Sequence, residues 1–81
     1  MNIYIGNLSY QTSEEDLQQA FDAYGTVEKT TIIKDRDTGN SKGFGFVIMP
    51  NNDEASSAIQ ALNESDLGGR NIRVNEARPK N

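Results

Sequence analysis

Apolar and polar residues alternate along four short segments of the chain, a pattern typical of β-strands with one buried face. In the first segment, Asn2 to Gly6, Ile3 and Ile5 share one face. The other three segments are Val27 to Lys34, Gly43 to Met49, which ends before Pro50, and Asn71 to Ala77. Leu67-Gly68-Gly69 is predicted to form a turn before the last strand.

A first helix is predicted between the first two strands, because its apolar residues recur at helical spacing. They are Leu17, Ala20, Phe21 and Tyr24. Gly25 is the expected stop. The start has two candidate frames, Thr12 with Glu15 or Ser13 with Asp16, and both have the spacing of a capping box.

A second helix is predicted to begin at Asn51 or Asn52, after the third strand. Its apolar face is formed by Ala55, Ala58, Ile59 and Leu62. The resulting order β-α-β-β-α-β predicts an α+β, ferredoxin-like split βαβ fold, with a four-stranded antiparallel sheet and both helices on one face. These elements fill residues 1–78 as one domain and leave 79–81 as a short tail.

Strand alternation places three aromatic side chains on the sheet face that no helix covers. They are Tyr4 on the first strand and Phe44 and Phe46 on the third, and these two strands are expected to be the central pair. A cluster of exposed rings in a soluble protein usually binds something flat. The alternative interpretations are that a flanking segment covers the rings or that they form a protein interface.

Cationic and polar side chains are expected to frame these rings. The outward positions beside them are Lys29, Thr31 and Ile33 on the second strand, Lys42 and Ile48 on the third, and Arg73 and Asn75 on the fourth. Rings that stack bases, framed by cations that meet phosphates, are what single-stranded nucleic acid requires.

The net charge of −4 argues by itself against a nucleic-acid partner. The distribution of charge reverses this conclusion, because six of the twelve acids and none of the eight bases fall in the two predicted helices. Acids are common in first helical turns, where they interact favourably with the helix dipole. The acidity is therefore expected on the back of the molecule, away from the rings.

Composition restricts the chemistry further. The 81 residues include no His and no Cys, which makes most hydrolytic and metalloenzyme mechanisms improbable. The segment from Asp35 to Gly39 resembles a calcium loop only superficially, since its twelfth position is Phe46 and not Glu. An acylphosphatase-like enzyme would need an Arg after the first strand, and that loop has no cation. No enzyme activity, metal or cofactor is predicted, and without a membrane-length apolar stretch or signal core the expected location is cytoplasmic.

Two motifs resemble those of the RNA recognition motif family. They are Ile3-Tyr4-Ile5-Gly6-Asn7-Leu8, which is similar to the family's hexamer, and Lys42-Gly43-Phe44-Gly45-Phe46-Val47-Ile48-Met49, which is similar to its octamer. The resemblance covers essentially the whole chain and is greatest to small single-domain bacterial members. It implies base stacking on Tyr4 and Phe44, packing of Phe46 against bases and sugars, and a phosphate contact from Lys42.

The resemblance also implies hydrogen bonds to base edges from the segment of Asn75, Ala77 and Arg78. Two residues depart from the family pattern. Met49 replaces the usual aromatic but is expected to point inward, and the acid Glu76 is expected to weaken phosphate attraction near the base-reading segment. The predicted RNA-binding residues are Tyr4, Lys29, Ile33, Lys42, Phe44, Phe46, Arg73, Asn75 and Arg78.

The expected partner is single-stranded RNA, bound without catalysis by a monomer, with single-stranded DNA bound more weakly and no membrane contact. The biological role expected of such a module is post-transcriptional regulation or RNA chaperoning. The alternative function is a protein-interaction module that acts through the acidic helix face.

Overall fold

The computed structural model describes residues 1–77, which form a four-stranded antiparallel sheet, two helices and a small hairpin. In chain order the elements are β1 (Asn2–Gly6), α1 (Glu14–Asp22), β2 (Lys29–Lys34), β3 (Ser41–Ile48), α2 (Asn52–Leu62), β4 (Asp66–Leu67), β5 (Arg70–Asn71) and β6 (Arg73–Glu76). The sheet order β2-β3-β1-β6 confirms both the predicted fold class and the central pair. The predicted domain end at Arg78 and the tail 79–81 lie outside the described residues.

Both helices pack on one face of the large sheet. The apolar cluster between them contains Ile3, Ile5, Val47 and Val74 from the strands and Leu17, Phe21, Ala55 and Ala58 from the helices, all 0% exposed. Burying one such large aliphatic or aromatic side chain contributes about 1.5–3 kcal/mol. Met49 is also fully buried, as predicted. The helices cover this face of the sheet, and within residues 1–77 neither helix covers the opposite face.

The start of α1 uses the second of the two candidate frames. The Ser13 hydroxyl accepts a hydrogen bond from the Asp16 N–H at 3.1 Å, and the Asp16 carboxylate accepts one from the Ser13 N–H at 3.0 Å. Thr12 instead lies buried before the cap. The helix ends at Asp22, and Tyr24 beyond it is 38% exposed, so the prediction that Tyr24 belongs to the apolar face of this helix was wrong.

Replacing Ser13 with alanine is expected to lower the free energy of unfolding by about 1 kcal/mol, because the N–H of Asp16 loses its acceptor. Urea denaturation monitored by circular dichroism measures this. Ser56→Ala, at an exposed position within α2, is the matched control and should change stability little. An equal effect of the two substitutions would contradict the capping assignment.

The strand boundaries differ from the predicted ones near the loops. β2 begins at Lys29 and not Val27, and β3 begins at Ser41 and not Gly43. The segment predicted as a turn is the tip of a hairpin in which Asp66 pairs with Asn71 and Leu67 with Arg70. Strands of two residues are too short for alternation to reveal them.

Side chains bind backbone groups on both outer strands of the large sheet. On β6, the Val74 N–H donates to Asn63 Oδ1 at 3.0 Å. On β2, the Ile32 N–H donates to Glu14 Oε2 at 3.0 Å. Each outer strand therefore has an N–H group that points away from the sheet and already has an acceptor.

Neither helix within residues 1–77 has the length and apolar character required to cross a membrane.

Candidate nucleic-acid interface

Three aromatic rings form a cluster in the middle of the open sheet face. The ring centroids of Tyr4 and Phe44 are 6.1 Å apart, those of Tyr4 and Phe46 5.9 Å, and those of Phe44 and Phe46 6.3 Å. These separations lie within the range of favourable aromatic pairs. All three side chains are half-buried, so each retains accessible ring surface. The predicted placement of the rings together is confirmed.

Strand pairing fixes the cluster. Tyr4 lies directly opposite Phe46, while their neighbours Ile5 and Gly45 form the next pair and face the helices. A Cβ at Gly45 would clash with the carbonyl oxygen of Thr31 and lie 3.1 Å from the Cα of Ile32. The glycine between the two phenylalanines therefore permits β2 and β3 to approach closely beneath the rings.

The start of β3 is irregular, and this irregularity positions Lys42. The pairing of β2 with β3 shifts between Ile32 and Lys34, and Gly43 has a φ of 84°. The Leu8 N–H donates to the Gly43 carbonyl at 2.8 Å, which ties the loop after β1 to this bulge. Lys42 is exposed here and lines a recess together with Phe44.

The other predicted cations occupy different edges of the ring cluster. Lys29 pairs with Ile48, so it lies at the opposite end of β3 from Lys42. Arg73 pairs with Gly6 on β1, and its guanidinium forms an ion pair with Glu64 at 3.5 Å. Both side chains of this ion pair are about two-thirds exposed, so the pair contributes little and Arg73 can exchange Glu64 for another anion.

The remaining predicted residues have mixed outcomes. Asn75 is exposed and pairs with Tyr4, which places it beside the rings. Ile33 is half-buried at the irregular part of β2. Glu76 pairs with Ile3, so strand alternation directs it to the helix side, and the expected weakening of phosphate attraction on the open face loses its basis. Arg78 lies outside the described residues.

Two residues near the rings were not predicted. Arg70 donates to Asn7 Oδ1 at 2.8 Å and lines a recess of about 270 Å³ with Tyr4 and Phe44. Tyr10, in the loop after β1, lines the same recess and is 69% exposed. The only sequence signal for Tyr10 is an aromatic residue among the polar neighbours Ser9 and Gln11. Arg70 reaches the site through the unpredicted hairpin.

The acids on the helices are on the other side of the sheet, and three of them accept backbone hydrogen bonds, Asp16 in the cap of α1 and two others. Glu14 accepts the Ile32 N–H, and the Glu54 carboxylate accepts the Thr26 N–H at 3.1 Å. The helices carry six acids and no base, as predicted. Among residues 1–77, no group of three acidic side chains is arranged to hold a metal ion. The groups that the open face presents are aromatic rings, cationic side chains and the amide of Asn75.

Comparisons with known proteins give a consistent result. The model of the RNA recognition motif family matches residues 3–73. The glycine-rich RNA-binding protein 1 of Mycosarcoma maydis is 51% identical over 75 residues, which are 93% of this chain and 43% of that protein. A putative RNA-binding protein, RbpA, of Nostoc is 44% identical over 80 residues, which cover 99% of this chain and 78% of the relative.

Among solved structures, the RNA-binding protein PG1 superimposes with a TM-score of 0.93 at 46% identity, and 99% of each chain is covered. The chain thus spans less than half of the fungal relative but nearly all of PG1.

Proposed function

The chain belongs to the RNA recognition motif family, and from this premise we propose that it is a non-catalytic module that binds single-stranded RNA on its open sheet face. The observation that carries the proposal is the cluster of Tyr4, Phe44 and Phe46, three rings within 6.3 Å of one another on the face away from the helices. Aromatic side chains stack on any nucleobase, because every base has a π-face.

In the proposed complex, one base stacks on Tyr4 and a neighbouring base on Phe44, while Phe46 packs against bases and sugars. Lys42 contacts a phosphate at the start of β3, and Lys29 lies where it can contact another at the far end of that strand. Asn75, beside Tyr4, presents an amide that can hydrogen-bond a base edge. A nucleic acid has to expose its base faces to use this surface, so a duplex is a poor ligand.

The affinity for a single-stranded RNA is expected to fall with salt concentration, because bound phosphates release counterions. With two to four phosphate contacts, the slope of log K against log salt should be about −1.5 to −3. Fluorescence anisotropy with a labelled single-stranded oligomer, repeated across a salt series, measures this slope. A fully paired duplex should bind far more weakly, because its bases are unavailable for stacking.

Lys42→Ala should make the salt slope shallower by about 0.7, because one phosphate contact is lost. Asp22→Asn is the control, since this acid lies on α1, beyond the sheet, where screening at physiological salt attenuates its effect. It should leave slope and affinity nearly unchanged. A salt-independent affinity, or a preference for the duplex over the single strand, would argue against the proposed function.

The preference for RNA over single-stranded DNA remains a prediction. Single-stranded DNA should bind more weakly, because it lacks the 2′-hydroxyl that RNA-binding proteins contact. The monomeric state, the cytoplasmic location and a role in post-transcriptional regulation or RNA chaperoning also remain predictions.

A further inference from the structure

Tyr10, in the loop after β1, exposes most of its side chain to solvent. It is the most exposed large hydrophobic residue in the described chain, 69% against 38% for Tyr24. The loop that carries it is anchored on both sides, because the buried Leu8 bonds to Gly43 and Thr12 packs into the fold. The loop therefore presents the ring to solvent from a fixed position.

The Tyr10 ring extends the aromatic surface beyond the edge of the sheet. An added Cβ at Gly43 would lie 3.4 Å from the edge of this ring. Tyr10 therefore lies against the bulge of β3, next to Lys42 and Phe44. Two adjoining recesses share these three residues, Tyr10, Lys42 and Phe44. One recess opens toward Tyr4, and the other opens away from it, toward the loop between β2 and β3.

The recess that opens away from Tyr4 has the size and chemistry to hold a nucleotide. Its volume is about 660 Å³, and the loop contributes Asp35, Thr38 and Asn40 to its wall. Asp35 Oδ1 already accepts the Asp37 N–H at 2.8 Å, which holds the loop in its turn. An aromatic ring, a cation and polar groups capable of hydrogen bonding to a base thus surround one concave surface.

We propose that Tyr10 stacks one further nucleobase, outside the nucleotides held by Tyr4 and Phe44, with Lys42 contacting the phosphate between the two positions. The inference rests on the proposed function and adds one nucleotide position to it. The RNA strand continues from the sheet, over the bulge of β3, into the recess. Continuity with the ring cluster and the positive charge of Lys42 favour RNA over an apolar peptide as the occupant. A protein contact by Tyr10 would be the conclusion only if RNA binding leaves its ring unaffected.

The three tyrosines of the chain provide a direct test. Protein labelled with 3-fluorotyrosine gives one fluorine resonance each for Tyr4, Tyr10 and Tyr24, assigned with single Tyr→Phe variants. Titration with a single-stranded RNA nonamer of mixed sequence should shift the Tyr4 and Tyr10 resonances. Tyr24, which follows α1 on the helix side, is the internal control and should not move.

Affinity measurements form the second arm. Tyr10→Leu, which keeps apolar bulk but removes the π-face, should weaken binding of the nonamer about five- to tenfold, while Tyr10→Phe should bind like the unsubstituted chain. Tyr24→Leu is the matched control and should have no effect. Thermal melting of each variant checks that the fold is intact.

The outcomes separate the two hypotheses. A shifted Tyr4 resonance with an unmoved Tyr10 resonance overturns the Tyr10 site and leaves RNA binding on the sheet intact. A shifted Tyr10 resonance combined with unchanged affinity of Tyr10→Leu shows proximity without stacking and also overturns the inference. If neither Tyr4 nor Tyr10 responds to saturating RNA, the proposed function itself fails.

Discussion

Replacing Phe44 with alanine is expected to weaken the binding of single-stranded RNA by about 1–3 kcal/mol, roughly 5- to 150-fold in affinity. The ring is half-buried among its aromatic neighbours and lies on the face away from the helices, so its loss removes a stacking surface and not a part of the core. Phe46→Ala should have an effect in the same range, because its ring completes the same cluster.

Titration of labelled pyrimidine-rich and purine-rich oligomers measures the loss, and both should be affected because stacking tolerates any base. Tyr24→Ala, which removes an aromatic ring from the helix side, is the matched control and should bind normally. Removing Phe44 also removes its contacts with Tyr4 and Phe46, which contribute about 0.5–1.5 kcal/mol each, so some loss of stability is expected while the variant still folds. Unchanged affinity in a folded variant would contradict stacking on this face.

Replacing Gly45 with alanine is expected to destabilise the fold by about 3 kcal/mol, at the upper end of the usual cost of overpacking. The added Cβ meets the backbone of Thr31 and Ile32, and backbone atoms cannot rotate away as a flexible side chain can. The central strand would have to move away from β2, which would also displace Phe44 and Phe46. RNA affinity should therefore fall together with stability.

Urea denaturation gives the stability change for Gly45→Ala, and Gly39→Ala is its control. A Cβ at Gly39 meets nothing within 4 Å, but its φ of 74° makes alanine costly by about 1–2 kcal/mol through the backbone alone. A smaller loss for Gly45→Ala than for Gly39→Ala would show that the strands tolerate the extra atom. In that case the close approach of β2 and β3 would not explain why a glycine separates the two phenylalanines.

The sequence was informative wherever one periodic pattern extended over several residues. Alternation over Ile3, Tyr4 and Ile5 predicted which side chains are buried and which face outward, because successive side chains of a strand point to opposite faces of the sheet. The capping frames could not be separated in the same way. Ser13 and Thr12 have equivalent spacing to an acid, and the structure decides between them through the reciprocal hydrogen bonds of Ser13 and Asp16 and the burial of Thr12.

Local pattern also could not predict contacts between distant loops. The ion pair of Arg73 with Glu64 and the approach of Arg70 to Asn7 depend on a hairpin whose strands have two residues each. Tyr10 belongs to no periodic segment, so its position over Gly43 follows from the bond between Leu8 and Gly43, which joins residues far apart in the chain. Sequence reasoning therefore found the rings and the strand residues around them, and missed the residues that the loop after β1 and the hairpin bring to the candidate site.

The bonds of Asn63 and Glu14 to the outer strands have a consequence for association between copies of the chain. An uncovered edge strand offers a row of backbone donors and acceptors on which another chain can add a strand, which is a common route to aggregation. Here the Val74 N–H on one edge and the Ile32 N–H on the other are already occupied. A second copy would have to displace these side chains before the sheet could extend. The need to displace them is expected to disfavour edge-to-edge pairing between copies of a domain that exposes several aromatic rings.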